Sequence, residues 1–135
     1  EQVGAIDGHA QVGHRTGNAE HRHRQRQDQT RRGPLDAQGV QVQWLLGPAE
    51  GAPTFALRRF TLEPNGQTPR HSHPWEHEVY VLQGGGAVVT EQGETPLRPD
   101  CAVLVLPDEI HCFRAGAEGL LFLCLVPLGE ATRGR

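Results

Sequence analysis

The sequence predicts an all-β domain of the jelly-roll type, and three observations carry that expectation. Short apolar runs recur from Val40 onward, each closed by glycine or proline, as strands between tight turns would be. No segment keeps the 3.6-residue apolar period over three turns of helix. Two of the runs, CAVLVL and LLFLCLV, are apolar at every position, which predicts strands buried on both faces.

The elements follow in order. Residues 40–46, VQVQWLL, alternate Val40, Val42 and Trp44 and stop at Gly47-Pro48, so a half-buried strand is expected. Residues 54–62, TFALRRFTL, repeat the pattern through Phe55 and Leu57 and end at the turn signal Glu63-Pro64-Asn65-Gly66. EVYVLQ (78–83) closes on Gly84-Gly85-Gly86, AVVTEQ (87–92) on Gly93, and CAVLVL (101–106) on Pro107. The last run, LLFLCLV (120–126), ends at Pro127. On that strand Phe122, Cys124 and Val126 share one face, while Leu121, Leu123 and Leu125 share the other.

Composition divides the chain into a low-complexity N-terminal tail, residues 1–33, and one domain, residues 34–135. The first 33 residues carry six arginines against four acidic residues, a net of +2, and no pattern that could bury area. The remainder carries seven arginines against twelve acids, a net of −5, and so offers no basic surface for nucleic acid. No apolar run approaches the ~18 residues needed to cross a bilayer, and a cytoplasmic protein without membrane contact is expected. Cys101, Cys112 and Cys124 are odd in number and form no Cys-x-x-Cys, which predicts free thiols in strands.

The chemistry concentrates in RHSHPWEHEVYVLQGG, residues 70–85, with a later histidine in PDEIHCF. His71 and His73 are two apart, so an extended strand would send both side chains from one face. Pro74 and Trp75 force a turn, and His77 opens the next strand. With His111, four imidazoles read as one metal site. Neutral imidazoles suit zinc, copper, iron, nickel or manganese, and argue against calcium and magnesium, which take oxygen ligands. His9, His14, His21 and His23 lie upstream in the polar tail and are not expected to take part. Phe113 follows His111 by two and should share its direction.

These motifs resemble those of the cupins. The first cupin motif reads here as Gly66, His71, His73, His77 and Gly84, with three residues between His73 and His77 and six between His77 and Gly84. That spacing puts His77 where most cupins carry glutamate, and Glu78, one position late, is the alternative third ligand. The second motif appears as Pro107, Asp108, Glu109, Ile110 and His111, with Glu109 in place of its glycine and Ala115 in place of its asparagine. The chain is most similar to small single-domain cupins with a four-histidine site, through HSHPWEHE (71–78), EIHCF (109–113) and FLCLVP (122–127), over residues 39–129.

The resemblance implies a cupin jelly-roll barrel whose metal, manganese or iron with nickel, copper or zinc as alternatives, is held by His71, His73, His77 and His111. It implies that Phe122 and Cys124, with Phe113, line the pocket, and it places Arg58 near the cavity, either orienting an anionic substrate or pairing with a structural carboxylate. Four neutral ligands leave an octahedral divalent ion two open positions. The function so implied is a dioxygenase-type or oxidatively cleaving oxygenase acting on a small, partly apolar molecule, with dioxygen as co-substrate. A non-catalytic ligand-binding cupin and a metal-assisted isomerase or lyase remain as alternatives. No Ser-His-Asp set or dedicated acid/base pair accompanies the histidines. Pairing through sheet edges predicts a homodimer.

Overall fold

The structure, a computed structural model, describes residues 4–7, 30–32 and 38–129. Its strands are β1 (Gly4–Asp7), β2 (Thr30–Arg32), β3 (Gln38–Leu46), β4 (Phe55–Gln67), β5 (His77–Thr90), β6 (Gly93–Leu97), β7 (Cys101–Val105) and β8 (His111–Pro127). The one helical element among the described residues is a 3-10 turn at Pro48–Glu50. Every pairing is antiparallel, in the order β1-β7-β5-β8-β4-β3-β2, with β6 also on β5. The predicted all-β jelly roll is therefore what forms, and no helix among the described residues is long and apolar enough to cross a membrane.

The structure differs from the sequence reading in three places. The expected turn at Glu63–Gly66 is a bulge inside β4: Asn65 takes φ 61° and the register on β8 jumps between Leu62 and Gln67. Likewise the triple glycine does not end a strand. It bends β5, with Gly84 at φ 80° and Gly86 at φ 158°. A Cβ at Gly84 would strike the Gly119 carbonyl, and one at Gly86 the Arg114 carbonyl, so both glycines answer a close approach of β8. The bend lets the first half of β5 pair with β7 and the second half with β6, while β8 runs along both. Strand β6, GETPL, escaped the reading because it is polar and holds Pro96, which an edge position tolerates.

The expectation of burial on both faces needs correcting for β7 and β8. Cys101, Val103 and Val105 are buried, but Leu104 between them is 37% exposed. On β8, Phe122, Cys124 and Val126 are buried, whereas Leu121, Leu123 and Leu125 are only half-buried. Each strand has one core face and one outer face, and an apolar outer face does not show in a period-two count. The core joins Ala56 and Leu62 of β4 to Val79, Val81 and Val88 of β5 and to the inner face of β8. Of the N-terminal segment, β1 pairs with β7 and β2 with β3; residues 8–29 and the expected boundary at residue 33 lie outside the described residues.

Candidate metal centre

The histidines do not lie on one strand. His71 and His73 sit in the connection from β4 to β5, where Pro69 and Pro74 keep the chain out of a ladder. Thr68 anchors this connection: its N–H donates to the Phe113 carbonyl at 2.9 Å, and its hydroxyl accepts the Phe113 N–H at 2.8 Å. His71 then exchanges backbone hydrogen bonds with His111, at 3.2 and 3.0 Å, and the carbonyl of His73 accepts the Asp108 N–H at 2.8 Å. These contacts bring the two motifs together. His77 is the first residue of β5 and His111 the first of β8.

The donor nitrogens of His71, His73 and His111 all lie within 4.8 Å of one another. The His77 ring stacks on His73 with centroids 4.2 Å apart and lies 5.6 Å from that of His111. Trp75 stacks on the other side of His73 at 4.6 Å, a contact the sequence reading missed although Trp75 stands between the histidines. His71 is exposed, His73 and His77 are buried, and His111 is 1% exposed. Glu78 points outward and is exposed, because strand alternation sends it to the face opposite His77.

Each ring is held through Nδ1. His71 Nδ1 lies 2.6 Å from the Pro69 carbonyl, His73 Nδ1 2.9 Å from that of Trp75, and His111 Nδ1 2.8 Å from that of Glu109. A carbonyl only accepts, so these three rings carry hydrogen on Nδ1 and present a lone pair on Nε2. His77 differs: its Nδ1 faces the Cys124 sulfur at 3.2 Å, and that sulfur also accepts from an Arg58 guanidinium nitrogen at 3.3 Å. His73 Nε2 and His77 Nε2 are buried without a hydrogen-bond partner. Burial lowers His73 to about 4 and His77 to about 2, helped at His77 by the Arg58 charge, and also lowers His111. His73 and His77 are therefore neutral near pH 7.

Beyond the imidazoles an aromatic row begins. Phe113 meets His111 with centroids 6.1 Å apart, Phe122 follows at 4.8 Å, and Phe60 at 4.9 Å. Phe113, Phe122, Cys124 and Arg58 are thus gathered beside the histidines. Phe60 was missed, although it stands two residues after Arg58 on β4 and shares its face.

Residues 58–126 match the family model described as the cupin domain. The chain belongs to the cupin family. Solved structures share the fold over about two thirds of this chain or more. The polyketide cyclase RemF from Streptomyces resistomycificus is 36% identical, with a TM-score of 0.66 over 71% of this chain and 69% of that one. A cupin 2 domain-containing protein from Halorhodospira halophila is 38% identical, with a TM-score of 0.62 over 66% of this chain and 64% of that one. A cupin-2 domain from Rhodospirillum rubrum is 26% identical, with a TM-score of 0.67 over 74% and 68%. No curated protein matches the chain.

Cupins often bind metal, and the residues of this cupin suit one. Buried ring nitrogens without a hydrogen-bond partner are costly unless something engages them, and Nε2 of His73 and Nε2 of His77 are two such atoms. His71, His73 and His111 form the possible site, with His77 stacked on its edge.

Proposed function

We propose that this cupin holds a divalent transition metal, manganese or iron, through His71, His73, His77 and His111, and is an enzyme acting on a small, partly apolar molecule. One observation carries the reading: the unpartnered, buried Nε2 atoms of His73 and His77 beside two further imidazoles. When bound, such an ion would polarise a substrate oxygen or support chemistry with dioxygen. The chain's own part is orientation and exclusion of water. The carbonyls of Pro69, Trp75 and Glu109 fix three rings, Cys124 holds the fourth, and Phe113 and Phe122, buried beside them, keep that side of the site apolar.

Two reaction classes follow. Oxygenase chemistry is favoured by the four neutral donors and by the lack, among the described residues, of an acid/base pair beside them. Carbonyl chemistry of the kind a cyclase performs is favoured by the 36% identity to a polyketide cyclase. The test is metal analysis of protein purified without added metal, then oxygen uptake with aromatic alkenes and turnover of 1,3-diketones, each under air and under argon. Oxygen uptake with manganese or iron supports the first class, and turnover under argon the second. Stoichiometric metal with neither reaction would favour a binding protein, and absence of metal would remove the reading altogether.

A further inference from the structure

Among the described residues, Arg58 is a cation without an anion. It lies on β4 opposite Cys124 of β8, half-buried, and no described carboxylate is within ion-pair reach of it. Its one hydrogen bond among the described residues goes to the Cys124 sulfur at 3.3 Å, and its Nε is buried with no acceptor. The guanidinium is held in place by two rings, 5.5 Å from the centroid of Trp44 and 5.0 Å from that of Phe60. A buried guanidinium N–H without an acceptor is unfavourable, and a planar fork kept in place with donors to spare is the group that proteins use to receive carboxylates.

The surroundings strengthen the case. Glu109, the carboxylate whose charge reaches His111, is occupied by the Leu106 N–H at 3.1 Å. A divalent ion on four neutral donors would add its full charge to that of Arg58. Between the two positive ends runs the row Phe113, Phe122 and Phe60.

We propose that Arg58 is an anion-binding residue of the site, and that the substrate is a flat, largely apolar molecule bearing a carboxylate or enolate that this guanidinium receives. The body of the molecule faces the Phe60–Phe122–Phe113 row, and the anion meets the orphaned Nε. The proposal deepens the reading of the metal centre and rests on it for the site's location. The guanidinium contact itself does not need the ion.

The test is calorimetric titration of metal-free and manganese-loaded protein with 1-naphthoate and with its neutral isostere 1-naphthamide, with fluorescence of Trp44, beside Arg58, as a second readout. Wild-type protein is expected to bind the acid about tenfold or more tightly than the amide, through charge-assisted hydrogen bonds. Arg58→Gln should erase that preference, and Arg58→Lys, which keeps the charge but loses the fork, should keep part of it. Equal binding of acid and amide by wild type, no binding of either, or an intact preference in Arg58→Gln overturns the proposal. If Arg58→Gln does not fold, Arg58→Lys decides: unchanged affinity for naphthoate overturns the proposal, and a several-fold loss confined to naphthoate supports it. Failure of the metal reading shows separately, as absence of manganese uptake, with the metal-free titration unaffected.

Discussion

The rim of the site and its floor hold their histidines by different means. At the rim, His71, His73 and His111 each give Nδ1 to a main-chain carbonyl two residues away in sequence. On the floor, His77 meets a side chain 47 residues away, Cys124, which is itself held by Arg58 at a separation of 66. Rim geometry is thus written into short backbone segments that tolerate change in distant side chains. Floor geometry depends on three strands keeping their register, and single substitutions should reach it. A carbonyl also dictates the tautomer of its histidine, whereas a thiol both donates and accepts and leaves His77 less constrained.

The largest effect should come from the rim. His111→Ala removes a donor that also bridges the two motifs, and metal content after dialysis against a weak chelator should fall to background; retention of stoichiometric metal would break the assignment of the centre. Next is Phe122→Ala, at the contact of floor and core. Loss of this buried ring should cost about 3–5 kcal/mol in denaturant unfolding. Metal per folded molecule should stay unchanged, since Phe122 coordinates nothing, and a loss of metal in folded protein would mean that the aromatic row supports the rim as well.

Cys124→Ala sharpens the comparison directly. With the floor partner of His77 gone, metal affinity by chelator competition should fall about 10- to 100-fold, the usual effect of removing a partner of a ligating histidine. Cys124→Ser should recover part of it, because a hydroxyl also accepts from Nδ1. An affinity equal to wild type in the alanine variant would show that His77 needs no floor.

A separate effect is on pH. His73 and His77 are depressed to about 4 and about 2 in the folded chain, and both return to the ordinary value near 6.5 on unfolding. The unfolded chain therefore binds more protons between these limits, so stability is complete above about pH 6.5 and declines as pH falls toward 4. The melting temperature of metal-free protein should follow that course, and His73→Gln should flatten it. A profile level from pH 7 to 4 would contradict the burial of these rings.

Much of the site was legible because strand parity is local. The motif spacing favours His77 over Glu78, and β5 buries His77 and exposes Glu78. The Phe122–Cys124 face rests on a period of two. Glycine in this chain does more than end strands: Gly84 and Gly86 bend a strand that continues, and the turn expected at Glu63–Gly66 is absorbed as a bulge. His71 and His73 converge through Thr68 and a backbone bridge to His111 rather than along an extended strand.

By itself, then, the sequence determined that this chain forms a β jelly roll and that four imidazoles stand in two motifs. Those properties depend on the order of residues within a few positions, which the backbone converts directly into direction. Only the tertiary structure decided that Arg58 meets Cys124, that Cys124 meets His77, and that Phe60 extends the aromatic row. Such meetings depend on the register of β4 and β5 on β8, and a slip of one residue would turn every one of these side chains to the other face. Bulges at Asn65 and at the bent glycines set that register, and their effect is felt only when strands far apart in sequence pair.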